Sequence, residues 1–144
     1  MKTNDLKALI RSRYPVIFVE TNEEARAECE VQRIAREFNI PSFRWRVTEG
    51  LRKDGENTSV YGTTNPQGAL LHIEAVDLQA LYLFEDFHPY LKEIVIKRKL
   101  KDLARSFSQD KRAIIVVGPP TKIPPELENV FVRFQFGLPN EEDI

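Results

Sequence analysis

Val16-Ile17-Phe18-Val19-Glu20-Thr21-Asn22-Glu23-Glu24-Ala25-Arg26 is the stretch on which the fold turns. Four consecutive apolar residues closed by an acid mark a strand covered on both faces, as in a parallel sheet. A helix follows from about Glu23 to Phe38, with Ala27, Val31, Ile34, Ala35 and Phe38 on one stripe and Pro41 beyond its end. The join between them is short and polar, and holds neither glycine nor lysine.

Toward the amino terminus, Thr3 or Asn4 is placed to cap a short helix carrying Leu6, Leu9 and Ile10, which Pro15 stops. Toward the carboxyl terminus, Phe43, Trp45 and Val47 alternate with Ser42, Arg44 and Arg46, predicting an exposed or edge strand with outward arginines. Arg52 to Thr64 is polar, contains Asp54-Gly55 and Gly62, and reads as a mobile loop or small hairpin. Asn65-Pro66 opens a helix with Leu70, Leu71 and Ile73, and Ala80 to Phe84 is the next buried strand, closed by Glu85 and Asp86. One long helix is expected from about Pro89 to Ser108, with Ile96, Leu100, Leu103 and Phe107 at helical spacing. Strands Ala113–Val117, stopped by Gly118-Pro119-Pro120, and Val130–Phe136 complete the chain. This alternation predicts a doubly wound, mostly parallel α/β sheet of about five strands in one domain, residues 1–144.

Composition narrows the function. Twenty-one Lys and Arg nearly cancel 22 Asp and Glu, so no global field draws the chain to nucleic acid or an anionic membrane, and neither is expected as a partner. Cys29 is the only cysteine, which excludes an internal disulfide; with only His72 and His88 besides, no metal site is expected. No apolar run approaches the roughly 18 residues of a membrane span, the first 13 residues lack a signal-peptide core, and a cytoplasmic location is expected.

Ligands of open α/β sheets bind beyond the carboxyl ends of the strands. After its first strand a phosphate-binding loop needs GxxxxGK and then Ser or Thr, for amide approach, charge neutralisation and magnesium. Here Thr21, Asn22, Glu23 and Glu24 stand instead, and the two carboxylates occupy the place an anion would take. Like charges roughly 4 Å apart at an effective dielectric near 20 cost about 4 kcal/mol, so a triphosphate is expected to be rejected. In structural terms Thr21-Asn22-Glu23-Glu24 matches a capping box.

After the third strand, Leu81-Tyr82-Leu83-Phe84-Glu85-Asp86 resembles a Walker B segment with its two acids in reversed order. Without a bound phosphate a magnesium ion there would lose most of its ligands, which leaves Asp86 a relict or hydrogen-bonding role. His88 has no visible nucleophile to serve. Lys97-Arg98-Lys99-Leu100-Lys101 with Arg105 reads first as a solvated helix face and second as a contact for a phosphate backbone or an acidic partner. Trp45 between two arginines reads first as a core residue and second as a base-stacking one.

Taken in order, several segments resemble the amino-terminal domain of the AAA+ ATPase-like family named for a hypothetical chloroplast open reading frame, found in plastids and in bacteria, notably cyanobacteria. They are Arg13-Tyr14-Pro15; Thr21, Glu24 and Arg26; Trp45 with Thr48-Glu49-Gly50-Leu51; Asp86-Phe87-His88-Pro89; Arg98 with Asp102-Leu103; Ile123-Pro124-Pro125-Glu126-Leu127; and Leu138-Pro139. The resemblance covers nearly the whole chain. It implies a P-loop-NTPase-like sheet in the order 5-1-4-3-2, with the first strand central and Ser42–Val47 at an edge.

The resemblance further implies a two-part protein, in which a degenerate AAA-like domain precedes a second AAA domain holding the working Walker motifs. This chain departs from that pattern by ending at Asn140-Glu141-Glu142-Asp143-Ile144, where an AAA module would continue into its helical lid. Its expected role is therefore a non-catalytic module, with no catalytic residues, that assembles with or regulates an AAA+ ATPase domain in cis or in trans, or with copies of itself. ATP and magnesium are expected only in the catalytic partner, with Thr21, Asn22, Glu23, Glu24, Glu85 and Asp86 as relict nucleotide-site positions. The expected contact surface is Glu23, Glu24, Asp86, Phe87, His88, Pro89, Pro119, Pro120, Pro124, Pro125 and Glu126. Two rivals are a receiver-like signalling domain built on Asp86, which would lack its acidic pair and its Lys-Pro, and a nucleic-acid-binding adaptor built on the basic helix.

Overall fold

The computed structural model of the chain describes residues 5–107 and 111–136. Helix α1 (Leu6–Arg11) precedes strand β1 (Val16–Glu20), and α2 (Glu24–Phe38) leads to an antiparallel pair, β2 (Ser42–Arg46) and β3 (Gly50–Lys53). Helix α3 (Pro66–Ala75), β4 (Leu81–Glu85), a 3-10 turn (His88–Lys92), α4 (Ile94–Phe107), β5 (Ala113–Gly118), a second 3-10 turn (Pro125–Leu127) and β6 (Val132–Phe134) follow.

The six strands lie in the order β3-β2-β4-β5-β1-β6, parallel except for β2 with β3. Without β3 this is the expected 5-1-4-3-2 order, and β1 lies between β5 and β6 rather than at an edge. Ser42–Val47 was expected at the edge and is not there: β3 folds back on β2 and covers it, with Trp45 opposite Leu51 and Arg46 opposite Gly50.

The apolar runs of β1, β4 and β5 are explained by two cores. Side chains alternate across a strand, so Val16, Phe18, Tyr82, Phe84, Ile114 and Val116 join α3 and α4 on one face. Ile17, Val19, Leu81, Leu83, Ile115 and Val117 join α1 and α2 on the other. Ala27, Val31, Ile34 and Ala35 of α2 are buried as their spacing predicts; Phe38, at the end of the stripe, is half-buried with the ammonium groups of Lys7 and Lys111 over its ring.

Three local expectations are corrected. Helix α1 is capped by Asp5, whose carboxylate accepts from the Ala8 amide, while Thr3 and Asn4 lie outside the described residues. The long helix is broken at Glu93, whose backbone is extended; the 3-10 turn opened by Pro89 buries Leu91 before α4 begins, and Ser108 lies outside the described residues. Leu71, grouped with Leu70 and Ile73, is on the outer side of α3 and 54% exposed. The start of α3 is as expected, Asn65 accepting from the Gln67 and Gly68 amides with Pro66 at the first position.

The polar segment after β3 is tied down by one side chain. Thr63 is buried; its hydroxyl accepts from the Leu51 amide at 2.8 Å and donates to the Val60 carbonyl at 2.6 Å, and its carbonyl accepts from the Trp45 indole at 2.6 Å. Gly50 permits this approach: its φ is +84°, and a Cβ there would lie 2.7 Å from the Thr63 hydroxyl.

Candidate functional site: the carboxyl rim of the parallel strands

Strands β1, β4 and β5 end together at Glu20, Glu85 and Gly118. Between β1 and α2 stand only Thr21, Asn22 and Glu23. The Thr21 amide continues the ladder to the Gly118 carbonyl at 2.8 Å, and the Thr21 hydroxyl accepts from the Glu23 amide at 3.0 Å. A segment this short has no length to wrap a phosphate, and both of these amides have protein acceptors. The capping-box expectation is corrected here: Glu23 is the cap residue, its side chain makes no capping bond, and Thr21 instead closes a tight turn ahead of the helix.

At the end of β4 the two acids part. Glu85 keeps the parity of Leu81 and Leu83, faces α2, and is 2% exposed. One carboxylate oxygen accepts from the Arg46 guanidinium of β2, and the other, Oε2, is buried with no hydrogen-bond partner. Burial pushes the Glu85 carboxyl up from its ordinary range against the pull of Arg46, and Glu24 and Glu28 push it the same way. Asp86 is turned outward by a left-handed backbone, φ +56°, and is exposed. A Walker B arrangement aims its acids at one metal; this backbone separates them. Among the described residues, no three His, Cys, Asp or Glu side chains are grouped so that they could hold a metal ion.

The alternating arginines of β2 are not outward edge guards. Arg44 and Arg46 lie on the α2 side of the sheet, and Arg44, 17% exposed, bonds Glu28 at 2.8 Å and Glu49 at 2.9 Å. Glu49 also stands within 3.6 Å of Arg52, and the Arg44 bond holds its carboxyl below the ordinary range. The signal was available in the sequence as complementary spacing: Glu24 and Glu28 one helical turn apart, Arg44 and Arg46 two strand positions apart. Trp45, between them, points the other way into the core, stacked on Phe84 with ring centres 5.5 Å apart and edge-on to Phe87.

That cluster corrects the expected contact surface. Phe87 is fully buried among Trp45, Phe84 and Tyr90, so it is a foundation of the rim rather than part of its exterior. His88 is half-buried against Gly118, where an added Cβ would lie 2.8 Å from its Nδ1. Glu23, Asp86, Pro89, Pro119, Pro120, Pro125 and Glu126 are exposed, and Glu24 and Pro124 are partly so. On the β6 side, Glu20 is bonded by Arg133 and by Gln135, and Arg133 also reaches the Thr121 carbonyl at 3.0 Å.

No helix of the described residues is long and apolar enough to cross a membrane. Residues 2–136 match the family of SpoVK-like AAA ATPase N-terminal domains. Among curated proteins the chain is similar to the uncharacterized AAA domain-containing protein ycf46 of Trieres chinensis, 35% identical over all of this chain and 30% of that one. It is 32% identical to ycf46 of Guillardia theta over 97% of this chain and 28% of that one, and 32% identical to ycf46 of Pyropia yezoensis over 96% and 28%. The chain thus spans under a third of the length of these relatives; of the segments that carried the resemblance, Thr21 with Glu24, Asp86 to Pro89 and Ile123 to Leu127 stand at or beside the rim, and Leu138-Pro139 lies outside the described residues. The chain belongs to the SpoVK-like AAA ATPase N-terminal domain family.

Proposed function

We propose that this domain is a non-catalytic AAA-like module that assembles with, or regulates, a catalytic AAA domain, and that it does so without binding nucleotide. The observation that carries the reading is the closed segment after β1: three residues, no glycine or lysine, and a Thr21 amide already bonded to Gly118. Glu85, where a metal-directing acid would stand, is engaged by Arg46. The length of the relatives supports a partner in cis, since more than two thirds of each lies outside the matched region.

The proposed contact surface is the exposed part of the rim: Glu23, Glu24, Asp86, Pro89 and the Pro119 to Glu126 segment. Prolines at Pro119, Pro120, Pro124 and Pro125 stiffen it, which lowers the ordering cost of binding. The test is to titrate the chain into a catalytic AAA domain from the same source and follow association and ATPase rate, then repeat with Glu24→Lys plus Asp86→Lys. Association that the double substitution weakens supports the surface. No association, or association that it leaves unchanged, removes it.

A further inference from the structure

Helix α4 opens with Ile94 82% exposed and Val95 44% exposed, an unusual use of two β-branched apolar side chains at the first turn of a surface helix. Leu71 of α3 adds to them. The Lys99 ammonium bonds Glu74 across the two helices at 2.7 Å, and Val95 and Leu71 stand one turn before these partners on helices that lead into the parallel neighbours β5 and β4 and so run the same way. That register brings the two apolar side chains to the same level.

The ground around them is basic. Between Lys92 and Arg105 the sequence has six cationic side chains and two acidic ones, in a chain whose formal net charge is −1. Ile94 borders a depression of about 220 Å³ lined also by Lys97, Arg98, Lys101 and Glu126. Pockets for cofactor-sized ligands run roughly 300–1,000 Å³, so this one suits a side chain from a partner better than a small molecule. Lys97 bonds Glu126 at 3.3 Å and Arg98 bonds Asp102 at 2.8 Å, whereas Lys101 acts on Glu126 only at longer range.

We propose that the Leu71, Ile94, Val95 patch with its Lys97, Arg98, Lys101 border is a docking surface for an acidic, apolar-faced helix of a partner protein. Charge complementarity selects an acidic partner, and the exposed aliphatics select one that buries its own apolar side chains. A nucleic acid backbone would gain nothing from covering Leu71, Ile94 and Val95, whereas a helix with its own apolar side chains would. A membrane surface would find too few apolar side chains to insert. The surface adjoins the proposed AAA contact at Glu126, but Leu71, Ile94, Val95 and Lys101 lie outside that contact, so its test does not depend on that reading.

The experiment uses this chain and a synthetic helix of glutamate and leucine, about 15 residues long so that it can hold its helix, followed by fluorescence anisotropy. The expected result is saturable binding that Ile94→Ser and Lys101→Glu each weaken about tenfold, as loss of an interface anchor does, with thermal melts unchanged because both side chains are peripheral. The same peptide with serine for leucine is expected to bind at least about tenfold more weakly. No binding, binding indifferent to Ile94→Ser, or equal binding of the serine peptide would overturn the proposal. Retention on heparin or on phosphatidylserine vesicles that the same substitutions abolish, without peptide binding, would overturn it in favour of those ligands.

Discussion

The segment after β1 and the segment after β4 close the same rim by different means. After β1 the closure is in the backbone: three residues, one amide in the ladder to Gly118, one amide on the Thr21 hydroxyl. After β4 the closure is in side chains: Arg46 on Glu85, and Phe87 driven into the aromatic cluster beneath. A backbone closure cannot be reopened without inserting residues, whereas a side-chain closure is one substitution from being undone. On the proposed reading the first bears on what the rim excludes, and the second on how firmly the rim is held.

The strongest way to break the second region is to remove its foundation. Trp45→Ala takes away a fully buried ring that contacts Phe84, Phe87 and Tyr90 and an indole donor to Thr63. A loss of about 3–5 kcal/mol in denaturant unfolding is expected; a loss under about 1 kcal/mol would mean that the cluster does not support the rim. Thr63→Val keeps the shape but leaves the buried Leu51 amide without its acceptor, for an expected loss of about 1–3 kcal/mol. Gly118→Ala should cost about 1–3 kcal/mol, because its methyl meets His88 and the segment must shift. His88→Ala added to it should recover much of that loss, and no recovery would show that another contact sets the cost.

Glu85 gives the smallest effect and the clearest sign. Its folded carboxyl is raised, so the folded state holds the proton more tightly than the unfolded chain does. The resulting cost to stability is fully present above the folded-state value and vanishes as pH falls through that value to the ordinary glutamate range. Glu85→Gln should therefore flatten the stability profile in that mildly acidic window while changing stability at neutral pH by only about 1 kcal/mol, since Arg46 is exposed enough to be hydrated. An unchanged acid profile would show that Glu85 is not the group titrating there.

The comparison also marks what the sequence could tell. The Val16–Glu20 run, the α2 stripe and the Asn65-Pro66 helix start were legible because burial and capping are local and periodic. The β3 strand was not: Gly50–Lys53 pairs with β2, and its free edge is satisfied at the Leu51 amide by Thr63, 12 residues on. Phe87 misled because an Asp-Phe-His-Pro loop motif gives no sign of direction, and the left-handed turn at Asp86 is what sends it inward. The alternation of Arg44 and Arg46 reads as an outward face because it leaves open which face is covered, which the partners Glu28 on α2 and Glu85 on β4 decide.

Calorimetric titration of the chain with magnesium ATP tests the proposal that the backbone closure after β1 excludes nucleotide. At millimolar nucleotide the account predicts no saturable heat, for the unmodified chain and for the Glu85→Ala, Asp86→Ala double variant alike. Saturable binding to the unmodified chain that disappears in the double variant would contradict it, showing that the acids after β4 still serve a nucleotide site that the short segment leaves open.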